Sequence, residues 1–194
     1  MQSSRPVINS IQMACRHEAG HYLVAMKLGF SGVGISIEVG LDGSHQGGAE
    51  ILPARPVVGV EEVKKYLKDR IAVLYAGAIA QCTTQGFVDS SGLEESLKTN
   101  AAGDHAKIRE LLPLLRNLMH PGSTCTSIQK QELTELDTEL RTLSSNTIDE
   151  VEDALDELQA ALASRFTPGV QQVSITHADV LALPGVQQLL SRAC

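Results

Sequence analysis

The sequence predicts a mainly helical α+β fold that contains one small sheet. Apolar residues recur at three- and four-residue spacing through most of the chain, whereas apolar and polar residues alternate only between Ile35 and Leu52 and near Val173. The chain has 194 residues, 43% of them hydrophobic and 20% charged, so it can bury a core without a disulfide or a structural metal. We expect a core over residues 1–126 and a C-terminal helical part over residues 127–194 that packs on it, with a single domain as the alternative.

The first elements are predicted to be a helix, a hairpin and a second helix. The first helix covers residues 10–28, with Ser10 as its N-cap and a glycine after its last residue. Residues 35–39 and 49–52 form the predicted hairpin, because their polarity alternates and Asp42-Gly43 lies in the turn between them. Apolar residues at helical spacing then predict a long helix over residues 60–82.

An irregular stretch is expected next. Residues 83–100 mix Thr, Gly, Ser and Asp without periodicity, which predicts a loop. A helix resumes after Gly103, and Pro113 should kink it because proline lacks the backbone donor and clashes one turn back. His120-Pro121-Gly122 then ends this helix.

The C-terminal part is predicted to be a helical pair followed by a short strand and a last helix. Leucine-rich helical patterns lie on either side of a break at residues 144–146. Thr147 and Glu150 match a capping box for the second helix of the pair. After the extended piece near Val173, Thr176 is expected to cap a final helix that reaches Leu183.

Composition excludes several classes of partner. The net charge is −7 without a basic stripe, and three Phe, three Tyr and no Trp provide few stacking surfaces, which argues against nucleic acid. The longest uncharged stretch is apolar only as far as Ala80, so we expect no transmembrane segment. Protein or peptide partners remain.

The cysteines and the N-terminus indicate the compartment. Cys15, Cys82, Cys125 and Cys194 are far apart and form no C-x-x-C pair, so neither a disulfide framework nor a thiolate zinc site is expected. The first ten residues lack the apolar core of a secretory signal. We therefore expect the cytoplasm or another reducing compartment, such as an organelle stroma.

The motif that carries chemistry is H-E-x-x-H, at His17, Glu18 and His21. Residues four apart lie on one face of a helix, so the two imidazoles can bind one Zn²⁺ while Glu18 serves as general base towards a water that attacks a peptide carbonyl. A chance match is the alternative, at roughly one chain in a hundred of this composition. The predicted helical context favours the metal site.

A catalytic zinc needs a third protein ligand. The metzincin pattern is excluded, because Val24 and Lys27 stand where it requires Gly and His. A thermolysin-like site would take a glutamate from a later helix, and Glu61 or Glu62 could supply it. The residues alone leave this ligand open.

Three segments resemble the peptidase domain of the FtsH-type AAA zinc metalloproteases. Residues 17–25, His-Glu-Ala-Gly-His-Tyr-Leu-Val-Ala, are similar to its H-E-A-G-H-A-x-V-A signature. Residues 69–80 are similar to its D-R-I-A-V-L-x-G-G-R-A-A-E segment, although the Arg and the Glu of that segment are absent here. Residues 99–104 resemble its T-G-A-S-N-D segment, whose Asp is the third zinc ligand, so the resemblance implies Asp104 as that ligand. The other interpretation of Asp104 is a helix N-cap.

The resemblance implies a zincin-like helical domain in which residues 1–126 form the peptidase core. It also implies that an extended peptide lies along the strand formed by Ala49, Glu50, Ile51 and Leu52. No Gly-Lys dipeptide occurs, so we expect no ATPase in this chain, and either a separate ATPase partner or a homo-oligomer. The alternative function is a catalytically silent binding or regulatory module.

Overall fold

The structure, a computed structural model, describes residues 4–40, 45–84, 86–167 and 169–191. The fold is mainly helical α+β, as predicted, with a small three-stranded antiparallel sheet and a short separate hairpin. The helices found in these ranges are α1 (Ser4–Lys27), α2 (Val60–Cys82), α3 (Ser90–Ser96), α4 (Ala102–Met119), α5 (Thr126–Glu150), α6 (Glu152–Ala163), α7 (His177–Leu181) and α8 (Pro184–Ser191). The strands are β1 (Ser31–Val39), β2 (His45–Leu52), β3 (Thr83–Thr84), β4 (Phe87–Val88) and β5 (Gln172–Thr176).

Helices α1 and α2 pack against each other at the centre of the molecule, and small residues make the contact close. A Cβ added at Gly20 of α1 would lie 2.6 Å from Ala80 Cβ and 2.8 Å from the Ala76 carbonyl oxygen of α2. Backbone therefore meets backbone at this crossing. α6 packs on α1 and α5 packs on α2, and their buried leucines join the same apolar core.

The sheet has the order β2-β1-β5, so β2 lies at an edge. Ile35 and Ile37 of β1 are buried, as are Val173 and Ile175, which pair with them from β5. The predicted hairpin and the extended piece near Val173 are confirmed, although the sequence did not predict that they pair. The predicted Asp42-Gly43 turn lies outside the described residues.

Two predictions in the first half need correction. α1 begins at Ser4 and not at Ser10; Pro6 lies in its first turn, where the missing N–H has no intrahelical acceptor to lose. Residues 83–100 are not wholly a loop, because they contain the hairpin β3–β4 and the short helix α3. Asp89 caps α3 by accepting a hydrogen bond from the Ser91 N–H at 3.0 Å.

The predicted break at residues 144–146 is also wrong. α5 continues through these residues to Glu150, and the helix is interrupted at Val151, before α6 begins. Thr147 makes no capping box, because its hydroxyl donates to the Leu143 carbonyl at 2.7 Å, a bond that leaves the helix intact. Thr176 does form a capping box, with Asp179, but the helix it caps ends before Leu183 and α8 follows.

Pro113 lies inside α4, and the predicted end of this helix at His120 is confirmed, because α4 continues to Met119 with His120 as its C-cap. Within the described ranges, none of the helices has the length and apolar character needed to cross a bilayer. Cys15, Cys82 and Cys125 are free thiols.

Candidate metal centre

Two helices bring three ligand-type side chains to one point. His17 and His21 lie one turn apart on α1, and Asp104 comes from the first turn of α4. His21 Nε2 is 3.1 Å from His17 Nε2 and 3.1 Å from Asp104 Oδ2, and His17 Nε2 is 3.6 Å from the same Asp104 oxygen. In the described part of the chain, this is the one group of three such residues that could hold a metal ion.

These separations fit tetrahedral coordination. Ligand atoms about 2.0–2.1 Å from a tetrahedral ion lie about 3.3 Å from one another. The three measured distances, 3.1, 3.1 and 3.6 Å, lie on either side of that value. Three such ligands would leave the fourth position of a tetrahedral ion for a water molecule.

The outer contacts of the two imidazoles direct both Nε2 atoms to this point. His21 Nδ1 lies 2.7 Å from the Val73 carbonyl oxygen, and His17 Nδ1 lies 3.2 Å from Gln81 Oε1. The Val73 carbonyl can only accept, so His21 Nδ1 donates to it and Nε2 faces inward, and Gln81 Oε1 can accept from His17 Nδ1 in the same way. Two ring nitrogens and a carboxylate oxygen therefore converge in an arrangement that could hold a metal ion.

The charges at this site agree with that conclusion. Burial lowers the pKa of His21, but the hydrogen bond and negative charge of Asp104 outweigh burial and raise it. Burial alone would raise the pKa of Asp104, but its hydrogen bonds with His17 and His21 hold it well below the usual carboxyl range. Asp104 is therefore ionised and attracts a positive charge into the group.

Gly77 of α2 provides the space beside the two imidazoles. A Cβ at this position would lie 2.4 Å from His21 Nε2 and 2.7 Å from His17 Nε2. Real Cβ atoms essentially never approach other atoms below 3.0 Å. Any larger residue at position 77 would therefore push directly on the ligand atoms.

Glu18 lies next to the group but contacts the sheet. Its Oε2 accepts a hydrogen bond from the Ala49 N–H of β2 at 2.8 Å. Gly47 leaves room for it, because a Cβ there would lie 2.5 Å from Glu18 Oε1. Glu18 is 8% exposed, so the carboxylate lies between the metal ligands and the edge strand, largely shielded from bulk water.

A cleft of about 150 Å³ runs between the edge strand β2 and helices α2 and α4. Glu18, His21 and Asp104 line it, together with strand residues that include Ala49 and Ile51. Of the strand residues that the sequence suggested for substrate binding, Glu50 and Leu52 do not line it. This follows from the period of a strand, since alternate side chains point to opposite faces.

Glu61 and Glu62, the other candidates for the third ligand, lie elsewhere, and two further ligand-type residues, His105 and Cys15, do not join the group either. Glu61 is in the exposed first turn of α2, where it pairs with Lys64 at 2.7 Å, and Glu62 shares that turn. His105 Nδ1 lies 3.0 Å from the Leu97 carbonyl oxygen, so it contacts the loop before α4. Burial, followed by the charge of Glu18, raises the pKa of Cys15 to about 12, which disfavours the thiolate.

Sequence reasoning missed the supporting residues. Gln81 and the Val73 carbonyl orient the histidines, and Arg70 and Lys107 line the cleft. The sequence did contain one signal, Gly77, because a glycine inside the strongly apolar helix α2 indicates that another element packs closely against it. No protein-family model matches the chain, and no curated protein sequence matches it either.

Proposed function

We propose that this chain is a zinc-dependent metalloendopeptidase with the zincin-like fold of the FtsH-type peptidase domain, acting on peptides and unfolded proteins. The observation that supports this most is the convergence of His17 Nε2, His21 Nε2 and Asp104 Oδ2, with distances of 3.1 to 3.6 Å, beside the carboxylate of Glu18. Two imidazoles and one carboxylate are a donor set that catalytic zinc uses.

His17, His21 and Asp104 would hold the ion. When bound there, zinc would act as a Lewis acid that polarises the peptide carbonyl and makes water a stronger acid. Gln81 and the Val73 carbonyl keep both imidazoles in the tautomer that a metal requires. Gly77 leaves the space in which these donors meet.

Glu18 is the general base in this proposal. Its carboxylate lies between the ligand group and the cleft, where it can take the proton of the attacking water and pass it to the leaving amine. The Ala49 N–H holds one carboxylate oxygen, which fixes the direction of the other. A glutamine at this position would keep the shape and lose the proton acceptor.

The substrate is proposed to lie along β2. The Ala49 N–H points to Glu18 and away from β1. Because the direction of backbone N–H and C=O groups alternates along a strand, those of Gly47 and Ile51 also face the open edge of β2. An extended peptide can pair with such an edge by strand addition. Ala49 and Ile51 would then form backbone hydrogen bonds with it, whereas Glu50 and Leu52 turn their backbone groups towards β1.

A catalytically silent binding module is the second candidate. The hydrogen bond from Ala49 to Glu18 favours it, because it occupies one oxygen of the base in the protein without substrate. The two candidates share the metal and differ in turnover. In both, free thiols suit a reducing compartment such as the cytoplasm or an organelle stroma, and an ATPase would have to be a separate partner.

Cleavage of unfolded casein by zinc-loaded protein, with metal content measured in parallel, tests the proposal. We expect Glu18→Gln to keep about one zinc and to lose at least about a hundredfold in rate. Asp104→Asn should lose metal and activity together. Glu61→Gln, which removes an exposed carboxylate outside the site, is the matched control and should change neither.

Full activity of Glu18→Gln would exclude the assigned base. A wild-type protein that binds zinc and cuts no unfolded substrate would support the silent module. We also expect stably folded proteins to resist cleavage without an added ATPase, because spontaneous unfolding costs about 5–15 kcal/mol. Rapid digestion of a folded substrate without ATP would contradict that expectation.

A further inference from the structure

Arg70 of α2 is a half-buried cation that has no carboxylate partner among the described residues. In the described part of the chain it makes no hydrogen bond or ion pair. Each of the other arginines there that is at least half-buried contacts a carboxylate: Arg16 contacts Asp156, Arg55 contacts Asp69, Arg116 contacts Glu132, and Arg141 contacts Asp137 and Glu94. A partly desolvated guanidinium normally has such a partner, so Arg70 is the exception that needs an explanation.

Arg70 lines the same cleft as Glu18, His21 and Ile51. Its place along the cleft follows from two contacts. The hydrogen bond from the Ala49 N–H places Glu18 beside the middle of β2. The ion pair of Arg55 with Asp69, at 2.8 Å, places the segment that follows β2 beside the part of α2 that contains Arg70. These contacts indicate that Arg70, one turn of α2 before the Val73 carbonyl that contacts His21, lies on the side of the cleft nearer Ile51.

A second cation lines this cleft. Lys107 lies one turn after Asp104 on α4, with its Nζ 3.3 Å from Asp104 Oδ1 and its side chain 57% exposed. The chain as a whole has a net charge of −7. Arg70 and Lys107 balance the carboxylates of Glu18 and Asp104 in the lining of this cleft, so a bound metal ion would give the cleft a positive charge.

We propose that Arg70, supported by Lys107, binds a carboxylate of the peptide substrate. Ile51 is two residues beyond Ala49, or about 6.8 Å along the strand, so the recognised group lies about two residues from the cleaved bond. An Asp or Glu side chain or the α-carboxylate at a peptide C-terminus would supply it. This inference rests on the proposed peptidase function, although the carboxylate site itself does not require turnover.

The expected preference is moderate. Arg presents parallel donors that match both oxygens of a carboxylate, and partial burial limits the competition from water. We expect a Glu-to-Gln change in the peptide to weaken binding about tenfold, which corresponds to about 1.4 kcal/mol. Because the cleft is open to solvent, this preference should shrink as the salt concentration rises.

Zinc-loaded Glu18→Gln protein and fluorescent peptides would test the binding step without cleavage. In one peptide set a single Glu occupies each position in turn, and in a matched set Gln replaces that Glu. A third set compares peptides with a free C-terminus and peptides with an amidated C-terminus. We expect tighter binding for Glu at one position or for the free C-terminus, which identifies the source of the carboxylate. Arg70→Gln should remove the preference, and Lys107→Gln should reduce it.

Arg109→Gln is the matched control, since Arg109 is an exposed arginine of α4 that does not line the cleft. A charge reversal tests the site independently: Arg70→Glu should prefer Lys over Gln in the peptide position where the parent prefers Glu. Equal binding of all carboxylate and neutral pairs, or a preference that survives in Arg70→Gln protein with an unchanged melting temperature, would overturn the inference.

Cleavage by the wild-type protein separates the two proposals. Cleavage without any carboxylate preference would overturn the role of Arg70 and keep the peptidase. Carboxylate-dependent binding without cleavage would keep the role of Arg70 and reject the peptidase. A selective peptidase should cut about two residues from the preferred carboxylate.

Discussion

Replacing Gly77 by alanine should separate the metal centre from ordinary helix stability. Alanine is favoured over glycine inside a helix by about 1 kcal/mol, so this change would stabilise an exposed helix. At Gly77 the added Cβ would lie 2.4 Å from His21 Nε2, which is 1.0 Å short of an ordinary 3.4 Å contact. Both His17 and His21 would have to move, or α1 and α2 would have to separate.

The expected losses follow from that overlap. Productive metal geometry tolerates displacements of about 0.5 Å, so a shift of 1.0 Å in a ligand atom should weaken zinc binding at least about a hundredfold. Overpacking costs about 1–3 kcal/mol, against a propensity gain of about 1 kcal/mol. The net loss in the free energy of unfolding should therefore be about 0–2 kcal/mol.

Zinc titration against a competing chelator, together with urea unfolding of the metal-free protein, measures both quantities. Gly103→Ala is the control, because Gly103 is also helical and a Cβ there meets nothing within 4 Å. We expect the control to bind zinc normally and to be at least as stable as the parent. A Gly77→Ala protein with the zinc affinity of the parent would refute the geometry described for this site.

Three further predictions concern the surroundings of the site and the helical core. Gln81→Ala should weaken zinc binding by about 10–100-fold, because His17 loses its orienting acceptor; unchanged affinity in the chelator titration would contradict this role. Burial would raise the pKa of Glu132, but hydrogen bonds from Arg116 hold this pKa below the usual carboxyl range. The stability that the pair contributes is therefore complete above the ordinary carboxyl pKa and is lost as the pH falls through the pKa of the folded state. Glu132→Gln should therefore reduce the acid dependence of urea unfolding, and an unaltered pH profile would refute the assignment. Ser144→Ala should raise the free energy of unfolding by about 1 kcal/mol, because the buried Ser144 hydroxyl has no hydrogen-bond partner among the described residues; a loss of stability would indicate a partner.

Periodicity was sufficient for the long elements. Residues 60–82 carry apolar side chains on a helical repeat over six turns, and α2 has those bounds. The helix around His17 and His21 was predicted for the same reason. Asp104 was different, because it lies 83 residues beyond His21, and only the resemblance to a known family connected the two.

Local hydrogen bonding explains the elements that were missed. Serine and threonine at positions 144–147 suggested a break, but a hydroxyl that bonds to the carbonyl one turn back lets the helix continue. The helix α3 has only seven residues, which are too few for a periodic signal. It depends on the capping contact of Asp89 and on the burial of Leu93. The orienting role of Gln81 could not be predicted either, since it requires knowing how α1 crosses α2.

The Ala49 amide carries a single proton, and two acceptors would compete for it. In the protein alone, Glu18 accepts that proton. A peptide strand that pairs with β2 at Ala49 would offer its own carbonyl in the same direction, so pairing would release the glutamate. Peptide docking and release of this carboxylate oxygen would then be a single event, and the protein without peptide would keep that oxygen engaged until the edge is occupied. A peptide complex in which the Ala49 amide still donates to Glu18 would contradict this coupling.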